Sequence, residues 1–135
     1  MVTALSRWQP QLLGILRIVA GLLFLSHGLV KLFGFPDAPP GQQEVLSLFG
    51  IGGLIELIAG TLIAIGLFTR AAAFVASGEM AVAYWMMHAP QGFYPVANGG
   101  DAAILYCFLF LYLVVAGPGA FSADRGRWTG PRLRR

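Results

Sequence analysis

The stretch Gly50–Arg70, GIGGLIELIAGTLIAIGLFTR, is almost wholly apolar, yet it carries a carboxylate, Glu56, near its middle. About twenty residues at a rise of about 1.5 Å each cover a hydrocarbon core about 30 Å thick. A charged side chain at mid-membrane costs about 2.5–3.5 kcal/mol on insertion scales. The apolar run therefore reads as a membrane span, and Glu56 as a group that needs a partner or a task inside it.

Composition points the same way. Of 135 residues, 57% are hydrophobic and 11% charged, with a mean hydropathy of +0.72, whereas soluble domains carry about 25% charged residues. An integral membrane protein of one domain is expected. The net charge of +3 comes from basic residues gathered mostly at the ends, which reads as topology, and no nucleic-acid partner is expected. A single cysteine, Cys107, excludes an internal disulfide and a C-x-x-C redox pair; it reads as a packing residue. No cleavable signal peptide is expected, because the apolar run after Arg7 is too long and lacks an A-x-A-like exit.

The pattern predicts an all-α, four-helix transmembrane bundle over residues 1–124, followed by a basic tail, 125–135. After a polar lead, Met1–Gln11, the spans are Leu12–Phe33, about Ser47 to Phe68, Ala71–Ala89 and Asp101–Ala116. Proline- and glycine-rich loops, Gly34–Leu46 and Pro90–Gly100, separate the outer pairs. Thr69-Arg70 reads as a tight turn, Asp101 or Asn98 as an N-cap, and Gly117-Pro118-Gly119 as a stop. Arg7, Arg70 and the tail arginines (125, 127, 132, 134 and 135) fall on one side. Asp37, Glu44 and Asp101 fall on the other. The positive-inside rule then puts both termini in the cytoplasm. The tail also suits anionic headgroups, at about 1 kcal/mol per basic residue.

The polar residues inside the spans are ordered. Arg17, Gly21, Phe24, His27 and Lys31 recur at steps of three and four, on one helical face. Gly53, Glu56 and Gly60 share another, where small residues let a neighbouring helix come close. Ala72, Ala76, Glu79, Ala83 and Met86 form a stripe around a second carboxylate. Counted from the outer boundary at about 1.5 Å per residue, His27 lies about 9 Å deep, Glu56 about 13 Å, Glu79 about 15 Å and Lys31 about 3 Å. These four are the expected ligand-binding or proton-relay group. Arg17, about 24 Å deep on the same count, is expected to snorkel or to tie down the basic end. His88, Asp101 and Tyr106 are secondary candidates, with His88 at the interface.

A His beside carboxylates relays protons near neutral pH. A cleft lined by Phe24, Met86, Tyr106 and Phe108 would suit a flat amphipathic molecule such as a quinone, while redox chemistry would reside in that cofactor or in a partner. Bis-His haem ligation is disfavoured, since His27 and His88 differ by about 8 Å in depth. His27 with two Glu offers too few ligands to specify a metal. A non-catalytic scaffold or partner-binding subunit, and a small-solute or proton-linked transporter working as a homo-oligomer, are the other readings.

Several motifs resemble the DoxX family of small bacterial membrane proteins. They are Leu16-Arg17, His27-Gly28 with Lys31, Gly53 through Glu56 with Gly60, and Gly66-Leu67-Phe68-Thr69-Arg70. Asn98-Gly99-Gly100-Asp101 and Gly117-Pro118-Gly119 complete the set. The likeness runs from about Leu13 to Asp124. It departs at Asp101, where the family usually has Glu, and at Ala123, where it often has Leu. The resemblance implies a four-helix membrane protein linked to quinone-coupled sulfur oxidation and to oxidoreductase complexes that manage oxidative or thiol stress.

Overall fold

A computed structural model describes residues 2–36 and 45–124. The basic tail, Asp37 and Glu44 lie outside the described residues, which hold six α-helices and no strand. The helices are α1 (Val2–Ser6), α2 (Gln9–Phe33), α3 (Leu48–Ile65), α4 (Thr69–Ala83), α5 (Pro95–Asn98) and α6 (Asp101–Ala116). By length and composition α2 and α3 are each apolar enough to cross a membrane, and α6 is a shorter apolar helix.

Local chemistry sets the ends. Most of the expected polar lead is helical: α1 occupies it, and α2 begins at Gln9 with Pro10 in its first turn, where a missing N–H does no harm. Helix α2 stops at Gly34, in the left-handed conformation (φ 69°) that glycine adopts without strain. Ser47 caps α3, its Oγ accepting from Gly50 N at 3.1 Å. Helix α3 ends three residues before the expected Phe68, at left-handed Gly66.

The turn to α4 is Gly66-Leu67-Phe68 rather than Thr69-Arg70. The cause lies far along the chain. Asp124 Oδ1 accepts from Phe68 N, and Asp124 Oδ2 accepts from Thr69 N and Thr69 Oγ1, each at 3.0 Å. A carboxylate at a helix start satisfies free N–H groups and complements the dipole, so Thr69 is drawn into α4. Beyond Ala83 the third helical stretch continues as a π-turn, Tyr84–His88, and a 3₁₀ turn, Ala89–Gln91. Neither Asp101 nor Asn98 caps α6; Gly100 takes that position without a side-chain bond. Asn98 is buried and staples the loop instead, accepting from Gly100 N and donating to Gly92 O, both at 2.8 Å.

Helices α2 and α3 pack most closely, as do α4 and α6; the α3–α4 contact joins the two pairs more loosely. Glycines let α2 and α3 touch backbone to backbone. A Cβ on Gly60 would stand 2.7 Å from Leu25 N, and one on Gly28 would stand 2.7 Å from Leu57 N. Phe24 and Phe110 meet edge-on at 4.8 Å in the core, and Ser77 Oγ donates to Cys107 O at 2.8 Å, tying α4 to α6. Phe108 points outward and is 65% exposed, so it lines no internal cleft.

Arg17 does not snorkel. It is fully buried, and all five of its N–H donors are used. Nε donates to Pro118 O, and Nη1 to Ile63 O and Ala64 O, each at 2.7 Å. Nη2 donates to Ala120 O at 3.1 Å and Phe121 O at 2.8 Å. Two of these carbonyls end α3, where the helix dipole is negative. Arg17 thus latches the segment after α6 onto α2 and α3. On the same end Arg70 donates to Val114 O and to Val115 O, the last carbonyls of α6.

Candidate functional site

At the Lys31 end the helices part and leave two cavities. Lys31 Nζ pairs with Glu56 Oε1 at 2.7 Å; the Glu56 side chain is 2% exposed and that of Lys31 21%. The glycine contact between α2 and α3 puts Glu56 at this seam. Its other oxygen, Oε2, is buried with no hydrogen-bond partner among the described residues. Such an orphaned acceptor is expensive in a low-dielectric interior.

Glu56 lines a cavity of about 360 Å³ with Phe24, His27, Lys31, His88 and Tyr106. The aromatic wall is continuous: Tyr106 lies 5.6 Å from Phe24 and 6.0 Å from His27, ring centre to ring centre. His27 Nδ1 bonds Leu23 O at 2.8 Å, and His88 Nδ1 bonds Asn98 O at 3.1 Å. In each ring this bond takes up one nitrogen. Both histidines line this one cavity, His88 from the π-turn that follows α4.

The expected single chamber of His27, Lys31, Glu56 and Glu79 is divided. Glu79 and Met86 line a second cleft of about 540 Å³ between α3 and α4, with Gly52, Val75 and Gly78. Lys31, Phe49, Ala83 and Met87 line both cavities, and Lys31 Nζ stands 4.9 Å from the Phe49 ring centre. Equal depth does not fix azimuth: α4 buries Ala72, Ala73, Ala76, Ser77 and Met80, and Glu79 stands at the edge of that face, turned to α3. Asp101 is exposed and lines neither cavity; Arg17 belongs to the latch at the other end.

The profile of the DoxX family matches residues 12–89. The chain belongs to the DoxX family. An uncharacterised protein of Haemophilus influenzae is 42% identical over 125 residues, covering 89% of this chain and 93% of that protein. An uncharacterised membrane protein of Mycobacterium tuberculosis is 31% identical over 127 residues, 82% of this chain and 77% of its own length. The inner membrane protein YqjF of Escherichia coli is 28% identical over 121 residues, 81% and 86% of the two chains. No solved structure matches. This is a DoxX-family membrane protein, and Arg17, His27, Lys31, Glu56 and Glu79 all fall within the matched region.

Phe49 and Gln91 also reach the Glu56 cavity and were not legible as site residues. Phe49 carries an ordinary span signal, and Gln91 sits in a stretch that reads as loop.

Proposed function

We propose that this DoxX protein crosses the bacterial inner membrane four times with both termini in the cytoplasm, and binds a quinone-like molecule in the Glu56 cavity. It would serve as the membrane component of a quinone-linked oxidoreductase or oxidative-stress system. The basic residues at the Arg17 end support the orientation, and the inner-membrane relative supports the location.

The observation that carries the ligand reading is Glu56 itself: paired on one oxygen, orphaned on the other, and facing a cavity with an aromatic wall. Ligand cavities span about 300–1,000 Å³, mostly apolar with a few convergent polar groups. Lys31 Nζ, the Tyr106 hydroxyl and the second nitrogen of His27 can donate to a ring carbonyl, and Glu56 Oε2 can accept from the hydroxyl of the reduced, quinol form. A bound quinone would supply the two-electron chemistry, exchanged with a partner protein. The chain's own residues bind, orient and exclude water.

The Lys31–Glu56 pair also favours a second reading, a non-catalytic scaffold in which the pair only holds helices in register. Titrating a short-chain quinone into the protein in nanodiscs, followed by quenching of tryptophan fluorescence, separates the two. Saturable binding weakened at least about tenfold by Glu56→Gln is expected once the ligand is reduced, the worth of one hydrogen bond from a quinol hydroxyl to the charged Glu56 Oε2. Equal affinity in the variant would leave only the scaffold.

A further inference from the structure

The second cleft has its own charge problem. One ammonium, Lys31, faces two carboxylates, and it is committed to Glu56 at 2.7 Å. Glu79 is left over, with Oε2 buried and unpartnered among the described residues. Among the described residues no other Lys or Arg lines this cleft, and the sequence has none between Lys31 and Arg70 or between Arg70 and Arg125. Arg70 is held at the far end by the last carbonyls of α6.

Everything else around Glu79 is apolar or small. Phe49, Ile51, Ile55, Val75, Val82 and Met86 form the walls. Gly52 lets the carboxylate approach α3; a Cβ there would stand 3.1 Å from Glu79 Oε1 and 3.7 Å from Lys31 Nζ, the ammonium that Glu79 shares with Glu56. The seam continues toward the Arg17 end as a further apolar hollow of about 450 Å³, which shares Ile51, Ile55 and Val75 with the cleft. A carboxylate short of a cation and a donor thus stands at the head of a long hydrophobic groove. A polar oxygen in such a place calls for a charge-assisted hydrogen bond.

We propose that the α3–α4 cleft binds a hydrophobic primary ammonium, with its NH₃⁺ against Glu79 and its chain along the seam. The site adjoins the quinone cavity, sharing Lys31, Phe49, Ala83 and Met87 with it, and takes the opposite kind of head group, a donor-only cation.

The probe is octylammonium, measured by calorimetry on the protein in zwitterionic nanodiscs against empty nanodiscs. Octanol serves as the neutral counterpart, and octyltrimethylammonium as a cation without N–H donors. Octylammonium should bind at least about tenfold more tightly than octanol and more tightly than the trimethyl compound, and Glu79→Gln should erase both preferences. Gly78→Leu gives a second variant. Gly78 lines the cleft, and a Cβ there meets nothing within 4 Å, so the larger side chain fills the cleft without a clash. It should abolish octylammonium binding and leave quinone quenching unchanged, which keeps this proposal's failure distinct from that of the quinone reading. If octylammonium and octanol bind alike, Glu79 carries its own proton and the proposal is overturned. Octylammonium binding that survives Glu79→Gln or Gly78→Leu overturns it equally.

Discussion

Replacing Arg17 by lysine keeps the charge and most of the length but cuts the donors from five to three. At least two of the carbonyls of Ile63, Ala64, Pro118, Ala120 and Phe121 then lose their partner. Measured side-chain hydrogen bonds in membranes average about 0.6 kcal/mol, because helices already in lipid find other partners. That average does not apply here, because Arg17 is fully buried. Ile63 O keeps its bond from Gly66 N, so one or two buried acceptors are left empty; at about 1–3 kcal/mol each, Arg17→Lys should lose about 1–6 kcal/mol. Arg17→Met, which removes all five bonds and leaves Ile63 O only its bond from Gly66 N, should lose more. Domains have only about 5–15 kcal/mol in hand, so the methionine variant should fail to accumulate folded. Reversible unfolding in sodium dodecyl sulfate, followed by circular dichroism, reads the lysine variant directly. A loss under about 0.5 kcal/mol, the ordinary scatter for surface substitutions, would refute the latch.

Two further outcomes follow from the packing at the other end. Gly60→Ala forces a Cβ to within 2.7 Å of Leu25 N, backbone that cannot swing aside, and should destabilise by about 1–3 kcal/mol in the same unfolding assay; an unchanged midpoint would contradict the close α2–α3 contact. Lys31→Met strands a buried carboxylate and should cost about 3–5 kcal/mol, while Lys31→Met with Glu56→Met should recover most of it, because the pair as a whole is worth little more than apolar packing. Additive losses in that cycle would show that the two side chains do not interact.

Much of the fold could be read from periodicity. The faces Arg17–Gly21–Phe24 and Gly53–Glu56–Gly60 are buried together, since step-of-three-and-four spacing fixes which residues share a helix side. Depth counting placed Glu56 near Lys31 because both lie on the α2–α3 seam. It did not show that Glu79 opens into a neighbouring cleft that shares Lys31 with the Glu56 cavity, since a rise per residue says nothing about the direction in which a side chain leaves its helix. Nor did it show that His88 lines the same cavity as His27, from a stretch wound as a π-turn. The Arg17 latch and the Asp124 cap rest on contacts up to 104 residues apart in sequence. Those partners are backbone carbonyls and N–H groups, which every residue has, so no residue type marks them. For Phe108 the error was of another kind: apolar on all sides, α6 gives no signal for which face turns outward, and packing with α4 decided it.

Photolabelling with an azido-quinone, followed by mass spectrometry of the protein in nanodiscs, asks most directly whether the Glu56 cavity holds a quinone head. Adducts should concentrate on the cavity wall, at His27, Met80, Met87 or Tyr106, compete with unlabelled quinone, and fall away in Glu56→Gln. Label confined to outward-facing side chains such as Phe74, Leu105 and Phe108, and indifferent to Glu56, would mean that the quinone meets this protein only as part of the surrounding lipid.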